Sequence, residues 1–150
     1  MDKIQSLKGM IDLIANRSDP DDFAESIFRT EDALKNIFLN FGYSEIRTPT
    51  LEDADLFKRS VGDSSDIVNK ELYSFFDKNE KNITLRPENT AGVIRSVIEK
   101  KIDANTHKFW YLGPMWRYER PQKGRYRQFN QAGIEIIGHP EGIAELDIIS

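Results

Sequence analysis

The sequence has no cysteine, which excludes disulfides and thiolate metal sites but fixes no compartment. Histidine is almost as scarce. His107 and His139 are the only two, too few for a histidine-based metal site, and both read as surface residues. No apolar run approaches the ~18 residues of a membrane span. The opening MDKIQSLKGMIDL lacks both a long apolar segment and a small-residue cleavage site, so it does not read as a signal peptide. A cytoplasmic location is therefore the default expectation. Repeats, low-complexity tracts and linkers rich in Gly, Ser or Pro are also missing. Excess positive charge is lacking too: 21 basic against 25 acidic residues leave a net charge of −4. A protein that binds nucleic acid over its whole surface is disfavoured, and any such contact falls to a local basic patch.

What is present fits one soluble domain. With 150 residues, 39% hydrophobic and 31% charged, the chain can bury about two-thirds of its unfolded surface. Met1–Ser18 is weakly patterned and reads as partly extended over the surface. A helix is expected from Asp19-Pro20, with Asp19 as cap, Pro20 in the first turn, and Asp21, Asp22 and Glu25 at its positive end. Phe23, Ile27, Leu34, Ile37, Phe38 and Phe41 recur at helical steps, and Gly42 is a stop signal. Tyr43–Leu51 reads as a strand ended or interrupted by Pro49, which belongs at a sheet edge. Leu51–Ser60 suggests a short helix, and Glu71–Asp77 with Ile83–Arg86 a hairpin around Lys78–Asn82. Asn89–Lys101 follows as a helix with Val93, Val97 and Ile98 inward. Two strand-like runs, Phe109–Glu119 and Arg127–Ile137, flank a basic loop, and Glu141–Ser150 looks helical. The mixture predicts an α+β fold, an antiparallel sheet with flanking helices.

Alternation along strands decides which side chains can meet. Arg117 and Glu119 share a face, and so do Phe129, Gln131, Gly133 and Glu135. If both sets point the same way, one surface holds a guanidinium, two carboxylates, an amide and a ring, with Gly133 leaving room for a ligand. The other face, with Trp116, Ala132, Ile134 and Ile136, is mostly apolar and suits packing on helices. A solvated sheet face with cross-strand ion pairs would also explain the charges. Phe129 and Gly133 are poor choices for such a face, and the loop adds Arg120, Lys123, Arg125 and Arg127, which suits a polyanion such as a triphosphate.

The run Tyr111-Leu-Gly-Pro-Met-Trp-Arg-Tyr-Glu-Arg-Pro-Gln-Lys-Gly-Arg-Tyr-Arg-Gln-Phe-Asn-Gln-Ala-Gly-Ile-Glu135 resembles motif 2 of class II aminoacyl-tRNA synthetases in its histidyl form. Phe41-Gly-Tyr-Ser-Glu-Ile-Arg-Thr-Pro49 resembles motif 1, the dimer-forming segment. Leu56-Phe through Asp66-Ile-Val, with Lys70-Glu-Leu-Tyr73, is similar to the family's next block, and Leu85-Arg-Pro-Glu-Asn-Thr-Ala91 to its amino-acid-binding segment. The likeness runs from about Leu7 onward.

The resemblance implies an enzyme that forms histidyl-adenylate from histidine and ATP, with Mg2+ accompanying the nucleotide, and passes histidine to tRNA(His). By the same resemblance, Arg117 is the catalytic residue on the ATP α-phosphate, Glu119 meets the adenine amino group, Phe129 stacks on adenine, and Arg125 reaches the terminal phosphates. Glu88, Thr90, Arg117 and Gln131 belong to the histidine site around its ammonium and carboxylate, and Glu135 accepts from its imidazole. No metal ligand is implied, and a homodimer is expected through the region around Pro49. Residues 1–150 correspond to the N-terminal portion of the catalytic core, with motifs 1 and 2; motif 3 and the anticodon-binding domain are not among them. Such a piece is expected to show little activity alone. Two other readings fit parts of the pattern: a non-catalytic histidine-sensing regulatory subunit of ATP phosphoribosyltransferase, and a nucleic-acid-binding module using the basic loop.

Overall fold

The computed structural model describes residues 3–16, 18, 22–61, 70–102, 105–120 and 122–138. The expected cap at Asp19, the segment Gly62–Asn69 and the helical tail Glu141–Ser150 lie outside them. Helix α1 spans Phe23–Asn40 and is capped by Asp22, whose carboxylate accepts from the Glu25 amide at 2.7 Å. Its inward residues, Ala24, Ile27, Leu34 and Phe38, keep the helical period. Phe23, Ile37 and Phe41, expected on that face, are 58%, 49% and 42% exposed because they lie to either side of the narrower buried stripe. Gly42 ends the helix at φ 76°, and the Tyr43 amide donates back to Phe38 at 2.9 Å. This is the glycine-terminated six-to-one closure, with the Phe38 and Tyr43 rings edge-on across it at 6.3 Å.

The chain then makes two three-stranded sheets rather than one. Strand β1 (Ser44–Glu45) is followed by a break through Pro49, after which β2 (Leu51–Asp53) enters the other sheet. Helix α2 is Ala54–Val61, and β3 (Tyr73–Phe76) and β4 (Asn82–Leu85) form the expected hairpin. The second sheet runs β2-β4-β3, all antiparallel. Helix α3 (Thr90–Glu99) buries Val93 and half-buries Val97, but leaves Ile98 71% exposed, against expectation. The first sheet is completed by β5 (His107–Trp116) and β6 (Gln128–Ile137), antiparallel over ten pairs from His107↔Ile137 to Trp116↔Gln128. Strand β1 lies on the far side of β5 and is parallel to it, so this sheet is mixed.

The two faces of the β5–β6 ribbon have different fates. One packs on α1: Phe38 meets Trp110 at 5.6 Å, and Ile27 and Leu34 share an apolar cavity of about 370 Å³ with Leu112 and Ala132. The other packs on α3 through Val93, Tyr111 and Met115. The N-terminal segment is tied down where the Gly9 carbonyl accepts from the Arg127 amide at 2.6 Å.

Arg86 joins these layers. It is 8% exposed, and its guanidinium donates to the Pro114 carbonyl at 3.2 Å, the Thr48 carbonyl at 2.9 Å and Asn89 Oδ1 at 3.3 Å. Its own carbonyl accepts from the Trp116 amide at 3.0 Å, which links the end of β4 to the end of β5. Burial lowers its pKa from the ordinary arginine value, yet an arginine keeps its charge in any protein setting. Replacing Arg86 with Met leaves these acceptors unpartnered, at about 1–3 kcal/mol for each one that water cannot reach. The expected result is a loss of about 3 kcal/mol in urea unfolding, not recovered by Arg86→Lys because a point ammonium cannot span the same acceptors.

Candidate functional site

Residues opposite each other in an antiparallel pair point to the same side. The register sets Met115 against Phe129, Gly113 against Gln131, Tyr111 against Gly133 and Phe109 against Glu135. Phe129, Gln131, Gly133 and Glu135 therefore share a face with the odd-numbered residues of β5, and Arg117 continues that series. At this end of the face the Arg117 guanidinium lies 5.1 Å from the centre of the Phe129 ring.

Helix α3 brings its first turn against the far end of this face. Glu88 turns both carboxylate oxygens onto the helix start, accepting from the Thr90 amide at 2.6 Å and the Ala91 amide at 3.1 Å. It caps the helix, while Asn89, at the formal cap position, makes no side-chain cap bond. Thr90 then reaches across to β6, where its hydroxyl donates to Glu135 Oε1 at 2.7 Å. Arg117 is held from the same turn, since its Nε donates to the Pro87 carbonyl at 2.9 Å. Arg117, Glu88, Thr90, Gln131 and Glu135 are thus gathered by one ribbon and one helix start.

The loop between β5 and β6 closes as a tight turn, with Gln122 and Arg125 paired and Gly124 at φ 76°. Arg125 folds back on Glu119, its Nε 2.6 Å from Oε2, while Arg117 stands 4.0 Å from the other oxygen. The Arg125–Glu119 contact is close but poorly aligned, and Glu119 Oε2 has no hydrogen-bond partner among the described residues. Arg127 donates to the Glu119 carbonyl at 3.1 Å and lies 4.0 Å over the Tyr118 ring. With Arg125 and Arg127 both engaged within the chain, the loop offers nucleic acid less free positive charge than its sequence suggests. Among the described residues no cluster of acidic, histidine or cysteine side chains could hold a metal ion.

Two features were not legible in the sequence. The space above Gly133, expected to leave room for a ligand, is instead filled by the Tyr111 ring. A methyl group on Gly133 would stand 2.4 Å from the Tyr111 phenol carbon and oxygen. Tyr111 is 5% exposed, and burial, reinforced by nearby Glu135 and Glu88, raises its phenol above the ordinary value. Asn89 is the second. It is 1% exposed, and its Oδ1 accepts from Thr48 at 2.5 Å as well as from Arg86. The alternation that put Tyr111 opposite a glycine could have flagged the first; nothing local marks the second.

Comparison with known proteins gives a consistent picture. The family model described as "Histidyl-tRNA synthetase" matches residues 18–150. The chain is 48% identical over its whole length to a histidine–tRNA ligase of Legionella pneumophila (strain Lens), covering 34% of that protein. It is 49% identical over 98% of its length to one from Nitratiruptor sp., covering 35% of it. Among solved structures, apo histidyl-tRNA synthetase of S. aureus superposes with a TM-score of 0.75 at 36% identity, over 98% of this chain and 32% of that one. An ATP phosphoribosyltransferase regulatory subunit/histidyl-tRNA synthetase from Bacillus halodurans gives 0.77 at 25% identity, over 99% of this chain and 37% of that one. The chain spans about a third of the length of the curated relatives it matches.

Gly133→Ala is expected to push the Tyr111 ring out of its seat and cost about 1–3 kcal/mol, the usual penalty of overpacking. Denaturant unfolding measures this. A variant as stable as the parent would mean that the ring does not need that space.

Proposed function

The chain belongs to the histidyl-tRNA synthetase family, and from that premise we propose that it is the N-terminal part of a catalytic core that activates histidine with ATP and passes it to tRNA(His). The observation that carries this reading is the order of groups along one sheet face. A guanidinium stands at one end, the Thr90–Glu135 pair at the other, and between them Gln131 Oε1 is buried without a partner among the described residues. A zwitterionic amino acid with a hydrogen-bonding side chain matches that order.

In this reading the histidine carboxylate lies near Arg117 and attacks the α-phosphorus of ATP. A new O–P bond forms, the bond to the bridging oxygen breaks, and pyrophosphate leaves with the electron pair. Arg117, tethered through Nε to Pro87, keeps its remaining N–H groups for the charge that builds on the α-phosphoryl oxygens. Gln131 Oε1 takes the ammonium, aided by the Glu88 and Thr90 helix start. Capping and ligand binding are compatible for Glu88, since a carboxylate offers about four acceptor positions. Glu135 spends one oxygen on Thr90 and keeps the other for the imidazole N–H. A site built on such bonds rejects apolar competitors by roughly four to five orders of magnitude.

The nucleotide would change the loop. Arg125 is 61% exposed but the Glu119 side chain only 9%, so a ligand that draws Arg125 away has to give the Glu119 carboxylate a new partner. A triphosphate competes for that guanidinium, and the adenine amino group takes its place on Glu119. Drawing Arg117 onto the α-phosphate likewise uncovers Phe129 for the adenine ring. Mg2+ fits here as a companion of the phosphates, as is usual for that ion, and no protein ligand is assigned to it.

A homodimer through the Pro49 region is part of the same reading. It is supported by the exposure of Pro49, the edge position of β1, and the exposed Ile37, Leu39 and Phe41 at the end of α1. Sedimentation of the full-length protein as a monomer would count against it. A cytoplasmic location follows from the proposed role in translation; no described helix is long and apolar enough to cross a membrane. The histidine-sensing alternative draws on the neighbour from Bacillus halodurans, but a sensor has no use for Arg117, Arg125 and Phe129 arranged around a nucleotide.

Histidine-dependent ATP–pyrophosphate exchange by the full-length protein tests the reading. Arg117→Ala should lower kcat by about two to three orders of magnitude, the usual loss on removing one oxyanion-type donor. Glu135→Gln should raise the KM for histidine with little change in that for ATP. A full-length protein that binds histidine without any exchange would favour the sensor instead.

A further inference from the structure

Glu119 and Arg125 are unequal partners. The Glu119 backbone is held on both sides: its amide donates to the Arg117 carbonyl at 2.7 Å, and its carbonyl accepts from Arg127 Nε at 3.1 Å. Arg127 is itself pinned, with its amide on the Gly9 carbonyl at 2.6 Å and its carbonyl on the Arg117 amide at 2.9 Å. The Glu119 side chain is 9% exposed, so the carboxylate is the fixed member of the pair. Arg125 reaches it from the turn that Gln122 and Arg125 close at 2.9 Å, and is 61% exposed. On its flexible stem that guanidinium can swing into water while the turn stays shut. Charge rather than alignment holds the contact. Nε lies 2.6 Å from Oε2, yet this oxygen is sheltered from water without a hydrogen-bond donor among the described residues. An amino N–H of a purine supplies the aligned donor that the guanidinium does not, but only once the guanidinium has left.

We propose that Arg125 makes recognition of the adenine ring conditional on the polyphosphate: in the free protein it stands on the Glu119 carboxylate in place of the adenine amino group, and it leaves only for a ligand that brings a phosphate chain. This rests on the histidine-activating reading above, in which Glu119 meets adenine and Arg125 the terminal phosphates. A triphosphate offers the guanidinium several charged oxygens against the single charge of Glu119, and its adenine repartners the carboxylate in the same event. Adenosine brings the amino group and nothing for Arg125, so it has to replace a cation on a sheltered carboxylate with a neutral donor. AMP is little better placed, because its one phosphate lies beside Arg117. That distinction serves turnover. AMP is what remains after the aminoacyl group has passed to tRNA, and the return of Arg125 to Glu119 helps it leave.

In the full-length protein, adenosine and pyrophosphate should each strengthen the other. The Kd of adenosine, measured by equilibrium dialysis, is expected to fall about fivefold when pyrophosphate is saturating, and that of pyrophosphate to fall by the same factor with adenosine. Arg125→Ala should abolish this coupling. By itself it should tighten adenosine by about that same factor while weakening pyrophosphate, a reversal of sign that a merely structural loss does not produce. Inosine, which carries a carbonyl where adenosine has its amino group, should show neither the coupling nor the gain. Independent binding of adenosine and pyrophosphate to the parent overturns the proposal without recourse to any variant. Unchanged or weaker adenosine binding in Arg125→Ala overturns it as well. So does an equal gain for inosine, which would mean that the side chain only takes up room. Absence of histidine-dependent exchange in the parent protein sinks the functional reading and this inference together. Normal exchange without the coupling sinks the inference alone.

Discussion

A guanidinium held among neutral oxygens is the constraint on which the rest of this structure depends. Arg86 meets carbonyl and side-chain oxygens from the Thr48 loop, from β5 at Pro114 and from the residue before α3. A charge so buried has to be satisfied on every side or it costs several kcal/mol. Three segments distant in sequence are therefore held at fixed positions around one side chain. Close packing adds to this: a Cβ on Gly113 would stand 3.0 Å from the Arg86 guanidinium, and one on Gly92 3.1 Å from the Thr48 hydroxyl. Helix α3 thus starts where its first turn can reach the β5–β6 ribbon.

From that placement the site follows. The ten-pair register decides that Arg117, Phe129, Gln131 and Glu135 share a side, and a slip of one residue would turn every one of the β6 members onto α1. Helix α1 protects the register from the other face through Phe38 and Trp110, and the Asn130 amide donates to Glu31 at 2.5 Å. The face left to ligands is neither flat nor empty. Tyr111 lies in it, its ring seated over Gly133 and its oxygen 3.4 Å from Gln131 Nε2.

The charges divide by strength. Glu52 and Arg95, paired at 2.7 Å with side chains 7% and 28% exposed, tie α3 to β2 in a half-buried setting and serve structure. The Arg125–Glu119 pair joins a guanidinium that is 61% exposed to a carboxylate side chain that is only 9% exposed.

Periodicity and alternation were enough to place most elements, because those signals act between near neighbours. The stop at Gly42, the Lys78–Asn82 turn, the separation of ribbon faces and the common side of Phe129, Gln131 and Glu135 could all be read from spacing. Spacing did not show that the stretch after Tyr43 divides between two sheets, nor that β1 runs parallel to β5, since strand partners are chosen by segments remote in sequence. It also misjudged how much of α1 and α3 is covered: Ile37 and Ile98 sit at helical intervals, yet they are 49% and 71% exposed. Least legible were Arg86, Asn89 and Tyr111. Each is an ordinary residue in its own segment, and its importance arises only where the folded chain brings oxygens, a ring seat or an amide within hydrogen-bond reach. Local sequence determined which groups lie on each face; tertiary packing alone decided their partners and the direction of their bonds, because a hydrogen bond depends on where two distant groups finally stand.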